Sequence, residues 1–178
     1  MLGTELAQFL RGDWRTNSYF VGVYPSDRLP VQRVSWPCCV VINSDPAAEE
    51  GEHWVAVYIT GGGLGVYFDS YGLYPANQNI QDFLGRNTRL WHWNRQPIQS
   101  VLSDKCGYYC LYFLTKSTEG QGLARLLRPF DVLRPFQNDI RVTQWFYRQK
   151  KARSQRVSRE RRRALAEHPK HGLYRYRR

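Results

Sequence analysis

A polar loop running without a break into an apolar helix is the strongest restriction in this sequence. Residues 99–114 read Gln-Ser-Val-Leu-Ser-Asp-Lys-Cys-Gly-Tyr-Tyr-Cys-Leu-Tyr-Phe-Leu, and the change of character falls at Cys106-Gly107. From Cys106 the segment is long enough for a buried helix, and Cys110, Phe113 and Leu114 recur at helical spacing. Cys106 then sits at the helix N-terminus, where free backbone N–H groups and the positive end of the dipole favour a thiolate. A thiol is a weak nucleophile until its pKa falls from about 8.5. A half-buried structural cysteine has the same pattern, and this stretch alone does not choose between the two.

The remaining segments supply a body for that helix. The opening residues lack the basic start and long apolar core of a secretory signal and predict a short amphipathic helix over Thr4–Leu10, capped by Thr4. A loop over Gly12–Ser18 leads to an extended run at 19–24, and Cys38–Asn43 reads as a buried strand before an acidic turn at 45–52. Residues 53–59 and 66–72 flank a glycine-rich turn and form a hairpin. With the turn centred on Gly62, Val55 pairs with Asp69 and His53 with Tyr71, so His53 and Asp69 become diagonal neighbours on one face. A slip of one residue would part them. A helix follows at Asn77–Leu84, a strand at 90–94 and a short helix or turn at Leu123–Leu127. Asn138-Asp139 is expected to cap a last helix that packs through Ile140, Val142, Trp145 and Phe146. Strands and helices mix without regular alternation, which predicts an α+β fold with a mostly antiparallel central sheet flanked by helices.

Charge divides the chain. Residues 1–147 hold 13 Lys and Arg against 13 Asp and Glu; residues 148–178 hold 13 against Glu160 and Glu167, so the net charge of +11 lies wholly in the last 31 residues. A neutral body (1–147) and a basic tail (148–178) are two functional parts. The four cysteines predict free thiols in a reducing compartment rather than a disulfide framework. Their spacing is not that of a zinc site, and no apolar run approaches the ~20 residues that span a bilayer.

Three side chains complete the proposal around Cys106. His53 is placed to act as a base for the thiol, and Asp69 to hold the imidazole in its useful tautomer. Gln99, seven residues before Cys106, carries an amide able to donate to an oxyanion beside the Cys106 N–H. Taken singly, an edge-strand histidine, a strand-ending aspartate and a loop glutamine are all ordinary.

Together, His53-Trp54, Phe68-Asp69, Gln99 and Cys106-Gly107 with its aromatic helix resemble the adenovirus protease (adenain) family, which is related to the SUMO and ubiquitin-like proteases. The resemblance extends over roughly residues 4–149, through Tyr19–Tyr24, Cys39–Asn43 and Asn138-Asp139 with Trp145-Phe146. It implies a papain-like-clan cysteine protease fold, with the catalytic cysteine at a helix N-terminus. It implies Cys106 as nucleophile, His53 as general base, Asp69 as orienting acid and Gln99 in the oxyanion hole. Trp54 would wall a narrow channel admitting small residues. The implied function is a viral maturation endopeptidase that cuts precursor polypeptides of the capsid or core at glycine-containing sites, through a thioester. Family members attach an activating peptide through a cysteine, and Thr88 occupies that place here.

Lys150, Lys151, Arg153, Arg156, Arg159, Arg161, Arg162 and Arg163 form a dense cationic run suited to phosphate, and Tyr174 and Tyr176 could stack on bases. The resemblance implies DNA as an activator, with no other cofactor needed for the chemistry and no metal. It points to a monomer in the virion and host nucleus, the cytoplasm being the alternative place. Two other functions fit the residues: a SUMO or ubiquitin-like isopeptidase with the same chemistry, and a non-catalytic DNA-binding protein on a protease-like scaffold.

Overall fold

The computed structural model describes residues 1–49, 51 and 53–167. Glu50, Glu52, Tyr174 and Tyr176 lie outside these. The chain divides after Phe146 into two units.

The first unit is an α+β body. It begins with helices α1 (Gly3–Arg11) and α2 (Trp14–Tyr19), followed by strands β1 (Phe20–Pro25), β2 (Cys38–Asn43), β3 (Trp54–Ile59) and β4 (Leu64–Phe68). Helix α3 (Gln78–Asn87), strand β5 (Leu90–Trp93), and helices α4 (Cys106–Thr118) and α5 (Leu123–Leu127) follow, and α6 (Pro135–Glu167) enters the second unit at Tyr147.

The sheet runs in the order β1-β2-β3-β4-β5. Its centre is antiparallel, but β1 pairs with β2, and β4 with β5, in parallel. The sheet is therefore mixed, which corrects the expectation of a mostly antiparallel one. Both parallel pairs are joined by long connections, which can return the chain to the end it left; a tight hairpin cannot.

Side chains alternate between two cores, as a period of two requires. Cys39, Val41, Ala56, Val66 and Phe68 face one core with α1 and α4. Cys38, Val40, Ile42, Val55, Val57, Ile59 and Tyr67 face the other, under α3. Helix α4 is enclosed by the first core, with Tyr109, Leu111, Phe113 and Leu114 buried. The Phe113 ring lies 4.6 Å from that of Phe68, nearly parallel, which pins α4 to β4.

Local signals account for the other departures. Residues 12–18 are not a loop, because the Asp13 carboxylate accepts from the backbone N–H groups of Arg15 and Thr16 and caps α2. Thr4 is not the cap of α1: the helix starts at Gly3, and the Glu5 carboxylate accepts from the Leu2 N–H instead. Helix α6 starts at Pro135, a residue suited to a first turn, so Asn138 and Asp139 lie inside it. Both are buried and turned toward the 98–100 segment: Asn138 Nδ2 donates to Ile98 O at 3.0 Å, and Asp139 Oδ1 sits 2.9 Å from the Tyr109 hydroxyl. Val142 is fully buried and Trp145 and Phe146 pack on Phe9, whereas Ile140 is exposed and not a packing residue.

After β4 the chain turns through Asp69-Ser70-Tyr71-Gly72. Gly72 holds φ at +72°, and a Cβ there would come within 3.0 Å of backbone atoms of Arg95, Gln96 and Pro97. Ser70 O accepts from the N–H groups of both Ile98 (2.9 Å) and Gln99 (3.1 Å), so this turn carries the segment that leads to α4. Gly72→Ala is expected to lower stability by about 1–3 kcal/mol, read by denaturant unfolding, because left-handed backbone strain and a backbone clash combine. A loss below about 0.5 kcal/mol would mean that the turn relaxes freely.

Candidate active site

The hairpin has the expected register. Ala56 pairs with Phe68 and Val57 with Tyr67, and the next pair along is Val55 with Asp69. His53 and Asp69 consequently meet: His53 Nε2 lies 3.0 Å from Asp69 Oδ1. Asp69 is 3% exposed, so solvent screens the pair little. The same Oδ1 accepts from the Tyr71 N–H at 2.7 Å, and Asn94 brackets the Asp69 backbone, Oδ1 accepting from its N–H and Nδ2 donating to its carbonyl. Nε2 is taken by the carboxylate, which leaves Nδ1 as the ring nitrogen for the Cys106 thiol.

Cys106 is the first residue of α4 and is 6% exposed. Burial opposes ionisation of its thiol, but hydrogen bonds from the His53 ring and the Trp54 backbone, the imidazolium charge and the Gly107 N–H outweigh it, and its pKa is lowered. His53 is the counterpart. Burial lowers its pKa, yet hydrogen bonds to Asp69 and Cys106 and their negative charges raise it to about 9. The pair thus favours thiolate and imidazolium.

The other thiols are opposite in character. All four cysteines are free. Burial pushes Cys38 up to about 12, burial and the neighbouring Cys38 push Cys39 further, and burial with the charges of Cys106 and Asp69 keeps Cys110 protonated. Cys110, one turn beyond Cys106, spends its S–H on the Trp54 carbonyl.

Gln99 is buried and fully engaged. Its Oε1 accepts from Ser70 Oγ at 2.6 Å, and its Nε2 donates to the Tyr71 hydroxyl at 3.1 Å and to Ser103 O at 2.7 Å. The Ser103 carbonyl, which can only accept, fixes which end of the amide is the nitrogen. Both N–H groups are thereby occupied in this state. Tyr71 also stacks on His53, with ring centroids 4.8 Å apart and planes at 30°.

Trp54 donates from Nε1 to Met1 O at 3.0 Å and walls a groove of about 590 Å³ against α1, β1, Asn43 and Pro46, a lining that includes neither His53 nor Cys106. Gly3 and Gly22 line it too, and a Cβ at either would come within 3.2 Å of Trp54 or 2.7 Å of Tyr24.

In the second unit, Lys150, Lys151, Arg156, Arg159, Arg161, Arg162 and Arg163 are exposed along α6 and Arg153 is half-buried. Glu160 pairs with Arg156 at 3.7 Å. Thr88, which the resemblance sets where an activating peptide would be tethered, caps the end of α3 through its hydroxyl, which donates to Leu84 O. Among the described residues no cluster of His, Cys, Asp or Glu is arranged to hold a metal ion, and no helix is long and apolar enough to cross a membrane.

Ser70, Tyr71 and Asn94 were not singled out from sequence. The run Asp69-Ser70-Tyr71-Gly72, a polar turn closing a strand beside a proposed catalytic residue, was the available signal. No protein-family model and no curated protein matches the chain.

Iodoacetamide is expected to alkylate Cys106 alone among the four thiols of the folded chain, with a rate midpoint below the ordinary thiol pKa of about 8.5. His53 keeps its proton up to about pH 9, so the ion pair spans the range from the lowered thiol pKa to about 9. The folded pKa of His53 exceeds its unfolded value, so its contribution to stability is complete below about 6.5 and lost as pH rises through about 9. His53→Ala should move the alkylation midpoint upward; an unchanged midpoint would uncouple the two groups.

Proposed function

We propose that this chain is a cysteine endopeptidase of the adenain type, with a papain-like-clan fold. The observation that carries this reading is the His53 imidazole held 3.0 Å from buried Asp69, with its ring in hydrogen-bonding reach of a low-pKa thiol at the start of α4. Peptide hydrolysis uses each part. The Cys106 thiolate attacks the scissile carbonyl carbon, and the displaced π electrons become an oxyanion. That charge is met by the Cys106 N–H at the positive end of α4 and by Gln99 once one of its N–H groups is released. The oxyanion collapses, the C–N bond breaks, and His53 gives its proton to the departing amine. The thioester is then cleaved by water, whose proton goes to His53, and the thiolate returns. Asp69 keeps the imidazolium oriented and charge-compensated throughout.

The preference for glycine rests on the resemblance, in which Trp54 walls the substrate channel; the groove that Trp54 lines runs along α1 and β1. The setting, precursor proteins of a virus cleaved in the virion and host nucleus, rests on the resemblance of the motifs. Cys106→Ala is expected to abolish cleavage of a Gly-Gly-containing peptide and leave the circular dichroism spectrum and melting temperature nearly unchanged. Full activity in that variant would end the reading.

The basic segment of α6 is assigned to DNA. Between Tyr147 and Ala164 it holds nine Lys and Arg against one acid, and at 3.6 residues per turn they fall on every side of the helix. A rod charged all round suits phosphates on both sides of a groove better than one flat anionic surface. Affinity for duplex DNA should fall linearly on a log–log plot against salt, and replacing Arg161, Arg162 and Arg163 with Ala should flatten the slope by about 1 per cation removed. A slope unaffected by the triple replacement would remove these residues from the contact.

A further inference from the structure

Tyr71 touches every part of the candidate machinery except the sulfur. Its backbone N–H donates to Asp69 Oδ1 at 2.7 Å, its ring stacks 4.8 Å from the His53 ring, and its hydroxyl accepts from Gln99 Nε2 at 3.1 Å. No other side chain joins the proposed base to the proposed oxyanion donor among the hydrogen bonds and ring contacts described here. We infer that Tyr71 is a positioning residue with two separable roles: its ring holds the His53 imidazolium, and its hydroxyl aligns the Gln99 amide. This deepens the endopeptidase reading and rests on it.

The ring acts through its π face. An aromatic face carries negative charge density and favours a cation above it, so the stack stabilises the charged imidazole over the neutral one. Because imidazolium favours the neighbouring thiolate, the ring lowers the ionisation midpoint of Cys106 through His53. The titratable groups around the pair are Asp69, Cys110 and Tyr71 itself, with Asp139 beyond Tyr71, and the mutually paired Asp104 and Lys105 with the Met1 ammonium just ahead of Cys106. Replacing Tyr71 alters one of these and leaves the rest in place.

The hydroxyl acts through geometry. A glutamine side chain turns about three bonds, and here three partners stop it: Ser70 Oγ on the oxygen, Ser103 O and the Tyr71 hydroxyl on the nitrogen. The contact to Tyr71 is the longer of the two made by Nε2, so it is the one an oxyanion displaces. Until then it keeps that N–H aimed and the amide from rotating. A donor already aligned costs nothing to reorganise when charge develops.

Two variants separate the roles. Tyr71→Phe keeps the ring and removes the hydroxyl; Tyr71→Leu removes both. With a Gly-Gly peptide substrate, Tyr71→Phe should lower kcat about tenfold with KM within about twofold, because the Gln99 amide must then be re-aimed before it can donate to the oxyanion. Its iodoacetamide midpoint should match that of the native chain. Tyr71→Leu should lower kcat further and raise the alkylation midpoint by about 0.5 pH unit or more. An unchanged or raised kcat in Tyr71→Phe overturns the hydroxyl role, and an unmoved midpoint in Tyr71→Leu overturns the ring role. If the native chain cleaves no peptide, the endopeptidase reading fails by itself, and the alkylation midpoints decide the inference alone. Thermal melts identify a Tyr71→Leu chain that has lost its fold, in which case the Tyr71→Phe result stands as the deciding one.

Discussion

The antiparallel pairing of β3 with β4 is the constraint on which the site depends. Its register aligns Ala56 with Phe68, and this brings His53 and Asp69 to the same end of the sheet. One residue of slip would turn the Asp69 side chain to the opposite face and leave a carboxylate stranded in a hydrophobic core. The register is held by burial on both faces, since Val55 and Val57 enter one core while Ala56 and Phe68 enter the other. The 3.0 Å contact of imidazole and carboxylate is thus a by-product of where apolar side chains must go.

The four cysteines show how surroundings govern one functional group. Cys38 and Cys39 are strand residues with apolar neighbours, and burial, joined at Cys39 by the adjacent Cys38, holds their thiols protonated. Cys110 has a single carbonyl to donate to and the same outcome. Cys106 is nearly as buried, yet it meets donors: an imidazole, two backbone N–H groups and the first turn of a helix. Burial without donors keeps a thiol protonated, and burial with them favours the thiolate.

The turn at 69–72 joins the sheet to the rest of the machinery. Asp69 faces His53, Ser70 fixes the Gln99 amide and, by its carbonyl, the chain on either side of Ile98, and Gly72 allows the backbone to reverse against residues 95–97. Asn138 and Asp139 hold the far side of the same segment from α6. The proposed oxyanion donor is supported from two elements distant in sequence, which suits a group whose orientation must survive the reaction.

Much of this was legible in the residues. The amphipathic and apolar runs marked α1, α3, α4 and the strands, and a glycine-centred turn with two flanking apolar segments specified the hairpin register, hence the meeting of His53 and Asp69. Hydrophobic period and turn chemistry are local properties, and local properties can be read in order along a chain. The parallel edges of the sheet, the inward direction of Asn138 and Asp139 and the occupied N–H groups of Gln99 could not be read that way. Each depends on which segments return to the same place after long connections, and only the packed chain sets that. Sequence determined which residue types were available to the chemistry; tertiary structure decided which of them touch, because contact between distant segments is settled by burial of the whole core at once.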